Sequence, residues 1–135
     1  MAGTATISTI KHDVTGAATR FNDGSGNEIG QLVKSWLSYN GSSPAVRGSF
    51  NVSSVTKGGT GDYTVNFTNT LTDANYSVVT ASGNDNTANA GLRGLNPLET
   101  QTAPTSSAIR IGSWVCPTGT RTVEDTSYAN VTVNR

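Results

Sequence analysis

The strongest constraint on the fold is a strict alternation of apolar and polar residues in the middle of the chain. In the run YTVNFT, Tyr63, Val65 and Phe67 share one parity, and the residues between them are polar. The preceding run AVRGSFNVSSV has the same period of two, with Phe50 and Val52 on its apolar parity. Because successive side chains of a strand point to opposite faces, this pattern predicts an antiparallel hairpin with one apolar and one polar face.

The two runs are joined by the glycine-rich segment KGGTGD. A turn at this point is expected to use Gly58, Gly59 and Gly61 to reach backbone angles that are closed to other residues. Glycine-rich loops also bind phosphate, but that use needs a strand that leads into a helix. Here the loop leads into another strand, so we interpret it as a hairpin turn.

Strand patterns continue along the rest of the chain, and helix patterns are almost missing. QLVKSWLSY is predicted to be a strand buried on both faces, and YSVVTASG, SAIRIGSWVC and YANVTVNR each predict a further strand. The weakly patterned segment from Gly83 to Thr105 is predicted to be a long functional loop. About seven strands at this spacing predict an all-β fold, an antiparallel β-sandwich of jelly-roll-like type.

Composition restricts the possible partners. The chain of 135 residues has nine basic and nine acidic residues and no cluster of either sign, so we expect no nucleic-acid partner. No stretch is long and apolar enough for membrane insertion. The single cysteine, Cys116, fits assembly in a reducing cytoplasm. Large aliphatic residues are scarce, and such a thin core favours an oligomer that buries apolar surface between subunits.

The combinations of residues that usually form catalytic sites are missing from the sequence. His12 is the only histidine, so no nucleophile–histidine pairing and no His or Cys metal cluster is predicted. The segment DGSGNE resembles a calcium loop in its alternate oxygen ligands, but Glu28 and Lys34 stand where that loop needs glycine and glutamate. We therefore predict no catalytic residue, no metal site and no cofactor, and a protein that is not an enzyme.

Two segments resemble a known family. KSWLSYNG, followed by AVRGSFNVSSVTKGGTGDYTVNFTNTLTDANYSV, is similar to the C-terminal receptor-binding domain of tail-fibre proteins of tailed bacteriophages. That family also often closes on a short alternating strand near an arginine, as YANVTVNR does here. The resemblance covers most of the chain, from about Gly24 to Arg135.

This resemblance implies a structural protein of the virion, assembled in the cytoplasm of the bacterial host as a homotrimer beside other virion proteins. The implied function is host attachment by a tail-fibre or spike-type module, with a host surface glycan as the possible ligand. An alternative is a capsid decoration or head-fibre protein, and a depolymerase is a third and weaker reading. Residues 1–25 are expected to form an arm or docking strand, and residues 26–135 the fibre-type domain.

Three groups of residues follow as candidates. Those expected to contact a receptor or glycan are Asn84, Asp85, Asn86, Arg93 and Trp114. Trp114 has the alternative interpretation of an ordinary core residue. Those expected in the core or at the trimer contact are Phe50, Val52, Tyr63, Val65 and Phe67. Those expected to dock the arm on the particle are Ile7, Ile10 and Val14.

Overall fold

The computed structural model describes residues 21–30, 32–83, 92–98, 102–117 and 119–135. The chain divides into two compact units, residues 1–32 and 33–135. The predicted end of the arm, at residue 25, lies within the first described hairpin, residues 21–30, and the division into arm and domain stays a prediction. The docking candidates Ile7, Ile10 and Val14 lie outside the described residues.

Every regular element in the described part of the chain is a strand, and every strand pairing is antiparallel. The all-β antiparallel prediction is therefore confirmed. The strands are β1 (Phe21–Asn22), β2 (Glu28–Gly30), β3 (Val33–Asn40), β4 (Ala45–Phe50), β5 (Val52–Gly59), β6 (Asp62–Phe67), β7 (Ser77–Gly83), β8 (Leu92–Pro97), β9 (Ala108–Cys116), β10 (Thr122–Val123) and β11 (Tyr128–Asn134).

In the first unit, β1 and β2 form a hairpin around an aspartate-centred turn. The carboxylate of Asp23 accepts hydrogen bonds from the backbone nitrogens of Ser25 and Asn27, both at 2.9 Å, and from the Asn27 amide at 3.0 Å. These bonds hold the pKa of Asp23 below its ordinary value. Of the oxygens that resembled calcium ligands in the sequence, those of Asp23 therefore stabilise a turn.

The second unit contains two sheets. One has the order β4-β3-β11-β7, and the other is a five-stranded sheet in which β9 pairs with β6, β8 and β10, and β6 also pairs with β5. Side chains from both sheets contribute to one hydrophobic core, whose members include Leu37 and Val131 from the first sheet and Ile109 and Ile111 from the second. Apolar residues at alternate positions of the strands supply this core, as the period of two predicted.

The predicted core residues separate into buried and exposed ones. Tyr63, Val65 and Phe67 are buried, and Val52 packs against the core from a partly buried position. Phe50 is 55% exposed in the single chain and does not belong to its core, so of its two predicted places only the trimer contact stays a prediction. The reason is that the run AVRGSFNVSSV is two strands, β4 and β5, which belong to different sheets.

The change of sheet takes place at Asn51, which has a left-handed φ of 56°. Its side-chain nitrogen donates to the backbone oxygens of Lys34 at 3.0 Å and Asn69 at 3.1 Å. Its side-chain oxygen accepts from the backbone nitrogen of Asn69 at 2.7 Å. Asparagine tolerates the left-handed region better than most residues, and its amide here satisfies backbone groups at the corner.

The hairpin turn is tighter than predicted. β5 runs to Gly59 and β6 begins at Asp62, so Thr60 and Gly61 alone connect them. Of the three glycines singled out in the sequence, only Gly61 has a positive φ, of 62°. A Cβ on Gly61 would lie 2.6 Å from the Ser113 backbone oxygen, whereas one on Gly59 would meet nothing within 4 Å. Glycine is therefore required at Gly61 for its backbone angle, and at Gly58 an added Cβ would overlap the Asp62 carboxylate, whereas Gly59 has open space.

Two further predictions are corrected. The strand β3 is buried on one face only, since Leu37 and Tyr39 are in the core but Trp36 is 41% exposed. The predicted loop from Gly83 to Thr105 contains the strand β8, which pairs with β9 along its full length. Its sequence LRGLNP contains weak strand formers, so pairing with β9 outweighs local propensity.

Candidate binding site

The five-stranded sheet has a pocket of about 620 Å³ on the face turned away from the core. The outward positions of the adjacent strands β6, β9 and β8 meet there, because Asp62 pairs with Gly112 and Gly112 with Asn96. Residues on neighbouring strands that pair directly share one face of a sheet. The lining residues are Thr60, Gly61, Asp62, Asn96, Pro97, Leu98, Arg110, Gly112, Ser113, Arg121 and Val123.

An ion pair fixes one side of the pocket. The guanidinium of Arg110 donates to the two carboxylate oxygens of Asp62, with Nε–Oδ1 at 2.7 Å and Nη2–Oδ2 at 2.6 Å. This two-point geometry is the strong form of the arginine–carboxylate interaction. The hydrogen bonds lower the pKa of Asp62 and raise the pKa of Arg110. Both groups are therefore charged at neutral pH, and each carboxylate oxygen accepts one hydrogen bond from Arg110.

Trp114 lies beside the pocket, in contact with the lining residues Asn96 and Arg121. Its indole Nε1 donates to the Asn96 side-chain oxygen at 2.8 Å. The ring lies against Gly94 on β8, where an added Cβ would be 2.2 Å from the ring carbon Cζ2. Glycine at position 94 thus leaves the space that the indole occupies. The bond from Trp114 also fixes the orientation of the Asn96 amide, whose Nδ2 is left with no partner among the described residues.

Arg121 completes the pocket. The centre of its guanidinium lies 5.1 Å from the centroid of the Trp114 ring, within the range of a cation–π interaction. Arg121 is exposed, and no carboxylate in the described part of the chain pairs with it. Its N–H groups therefore face solvent at the pocket while the aromatic ring restrains the side chain.

The residues predicted to contact a receptor lie in different places in the structure. Trp114 is half-buried beside the pocket, so the structure places it neither in the core nor as an open platform. Arg93 is directed elsewhere: its side chain is only 10% exposed and it donates to Glu124 at 3.1 Å. That pairing leaves little of Arg93 for a ligand. Asn84, Asp85 and Asn86 lie outside the described residues.

Sequence reasoning missed the residues that line the pocket, Asp62, Asn96, Arg110 and Arg121. Asp62 and Arg110 do occupy polar positions of alternating strands, which places them on an outer face. Their meeting depends on the pairing of β6 with β9, and these strands are far apart in the chain. A search for opposite charges on the outer faces of predicted strands is the signal that would have found this pair.

A second polar cluster has a structural role. Asp125 accepts hydrogen bonds from the Tyr63 hydroxyl at 2.7 Å, the Gly61 backbone nitrogen at 2.8 Å and the Lys57 ammonium at 2.6 Å. Burial raises the pKa of Asp125, but the hydrogen bonds and the charge of Lys57 outweigh it, so the net pKa is lowered. Burial and the bond to Asp125 raise the pKa of Tyr63. The cluster ties the β5–β6 hairpin to the segment before β11.

The outward face of the other sheet carries apolar side chains in a row. Phe50, Trp36, Thr132 and Val79 lie directly opposite one another on β4, β3, β11 and β7. Phe50, Trp36 and Val79 are 55%, 41% and 61% exposed. We call Phe50, Trp36 and Val79 the apolar row; the polar residue Thr132 lies between Trp36 and Val79. Exposed apolar side chains that lie side by side are a feature of contact surfaces.

Other kinds of site are not found in the described residues. No group of three or more His, Cys, Asp or Glu side chains there is arranged to hold a metal ion. No helix among the same residues is long and apolar enough to span a bilayer.

Comparison of the chain with protein-family models, with characterised proteins and with solved structures finds no match.

Proposed function

We propose that the chain is a non-enzymatic attachment module of a bacteriophage particle, a tail-fibre or spike-type protein that binds a host surface glycan in the pocket described above. The observation that carries this proposal is the pocket itself. Its volume of about 620 Å³ is in the usual range for small-ligand sites. Its polar groups are held on paired strands by the Asp62–Arg110 and Trp114–Asn96 bonds, which is the preorganisation that binding requires.

The placement on a virion is supported by the resemblance of the block from Ser49 to Tyr76 to phage tail-fibre domains. The structure is consistent with that origin in one respect, since β5, β6 and the turn between them form the hairpin that the block predicts. We propose further that the two sheets stack as a jelly-roll-like β-sandwich. The support for this arrangement is the core to which both sheets contribute.

The proposed oligomer is a homotrimer that uses the apolar row. Phe50 was expected in the core or at the trimer contact, and its 55% exposure supports the second role. Trp36 and Val79 extend the apolar surface across the sheet. Burial of such side chains between subunits would add about 1.5–3 kcal/mol for each large residue that becomes fully buried.

The experiment for the attachment function is competition for adsorption. The particles are purified from a culture that produces this chain. We expect the purified chain to block their adsorption to host cells. Asn96→Ala, which removes an amide from the pocket, is expected to weaken this block. Asn130→Ala is the matched control, since Asn130 is an exposed residue of the other sheet. Equal inhibition by both variants, or none by the parent chain, would contradict the proposal.

The alternative function is capsid decoration or a head-fibre protein. The apolar row favours it, because a decoration module needs a contact surface and no ligand pocket. Gold-labelled antibody against the chain distinguishes the two functions on purified particles. Label at the tail tip supports attachment, whereas label over the head supports decoration.

A further inference from the structure

We propose that the glycan residue held in the pocket carries a carboxylate, and that Arg121 binds it. This inference rests on the proposed function, since it names the chemical class of the ligand for the same pocket. Some polar groups of the pocket are hydrogen-bonded within the protein and others are not, and this difference indicates the chemistry of the ligand.

Each charged or amide oxygen of the pocket already accepts one hydrogen bond from within the protein. Both oxygens of Asp62 accept from Arg110, and the Asn96 oxygen accepts from Trp114. The nitrogen groups that have no partner among the described residues are the Asn96 Nδ2 and the guanidinium of Arg121, and both donate; the Thr60 hydroxyl also lines the pocket and can donate or accept. A ligand that satisfies these donors must present acceptors.

The charge of the lining points in the same direction. Two guanidinium groups, of Arg110 and Arg121, and one carboxylate, of Asp62, line the pocket. Arg110 is neutralised by its two-point pair with Asp62, so the charge of Arg121 is left uncompensated among the described residues. An anionic ligand group would compensate it.

The shape of the guanidinium favours a carboxylate. Arginine presents a planar set of donors that matches a carboxylate at two points. The Trp114 ring, 5.1 Å from the guanidinium centre, restricts the side chain before the ligand arrives. This restriction lowers the entropy lost on binding. Trp114 then positions Arg121, because the Arg121 guanidinium lies over the indole ring.

The test is isothermal titration calorimetry of the full chain with uronic-acid trisaccharides (galacturonate, glucuronate and guluronate) and with their methyl esters. Esterification removes the charge and leaves the sugar. We expect at least one acid to bind on the order of 10-fold more tightly than its ester, the usual value of a hydrogen bond to a charged group. Arg121→Ala should abolish that difference, and Arg121→Lys should restore only part of it.

Lys34→Ala is the charge-matched control, because it removes one positive charge from the other sheet. It should retain the preference for the acid. If acids and esters bind the parent chain equally and Arg121→Ala changes nothing, the carboxylate inference is overturned and glycan binding stands. If no acid, ester or neutral galactose trisaccharide binds, the proposed function fails and the inference fails with it. Inorganic sulfate is tested in the same way. If it binds as tightly as the tightest-binding uronic-acid trisaccharide, the pocket is a general anion site and the inference is overturned.

Discussion

Among single residues, Asn51 has a part in the fold that its surroundings in the sequence do not reveal. It stands where the chain leaves one sheet for the other, with a φ of 56° and an amide bonded to Lys34 and Asn69. An alternating pattern continues across it without a break, so periodicity alone predicts one strand. The backbone angle, the three amide bonds and the bond from the Thr68 backbone nitrogen to the Asn51 backbone oxygen define the corner.

Asn51→Ala is expected to destabilise the protein more than Asn51→Gly. Both variants lose the amide bonds, each worth about 0.5–1.5 kcal/mol. Alanine also has to hold the left-handed conformation, which costs roughly 1–2 kcal/mol more for a residue with a Cβ. The check is urea unfolding followed by tryptophan fluorescence, with Asn130→Ala as the exposed control. Equal stability of the alanine and glycine variants would show that the corner carries no backbone strain.

The Asp125 cluster predicts a dependence of stability on pH. Because the pKa of Asp125 is lower in the folded chain than its ordinary value of 3.8, its contribution is fully present above that value. It is lost as the pH falls through the folded pKa. Asp125→Asn should be about 1–3 kcal/mol less stable than the parent at pH 7, since it loses bonds to a charged group. The difference should shrink as the pH drops below 3.8.

Urea unfolding at a series of pH values, from 7 downwards, measures this difference. Asp23→Asn is the control, because the Asp23 carboxylate bonds only within its own turn among the described contacts. It should leave the unfolding of residues 33–135, observed through Trp36 and Trp114, unchanged. The free energies of unfolding of Asp125→Asn and the parent could instead differ by the same amount at every pH down to acidic values. That result would mean that the charge of Asp125 contributes nothing to stability.

At the scale of the elements, the tight turn between β5 and β6 gives a comparison between neighbouring glycines. Gly61→Ala should destabilise the hairpin by at least about 1–3 kcal/mol, the usual cost of a disfavoured backbone conformation. The overlap of its Cβ with Ser113 and Glu124 backbone oxygens adds to this cost. Gly59→Ala meets open space and should change stability little. Thermal unfolding of the two variants tests this, and similar midpoints would refute the assigned turn.

Strands were predictable where apolar and polar residues alternate over one sheet. Tyr63, Val65 and Phe67 on β6 follow this pattern, and all three are buried. The pattern failed for β8, whose glycine, asparagine and proline are weak strand formers. Trp36 was also predicted to be buried and is 41% exposed. Periodicity shows that the two faces of a strand differ, but it does not show which neighbour covers each face. Strand order, which brings Asp62 to Arg110, is set by long-range pairing and not by local residues.

For the whole molecule, the trimer proposal predicts the effect of a charge on the apolar row. Phe50→Asp should convert a trimer into monomers, because it would place a carboxylate in a desolvated contact. Val123→Asp is the matched control, since Val123 is similarly exposed, at 56%, but belongs to the five-stranded sheet. Analytical ultracentrifugation measures the mass of each variant. A parent chain that sediments as a monomer at micromolar concentration would overturn the trimer.

The central claim is that recognition takes place at the pocket on the five-stranded sheet. Chemical-shift mapping of the isotope-labelled chain, on addition of polysaccharide prepared from the host surface, tests it most directly. We predict that the shifted signals are those of Asp62, Asn96, Gly112 and Arg121, with the signals of the apolar row unchanged. Shifts confined to Trp36, Phe50 and Val79, with an unchanged pocket, would contradict the claim.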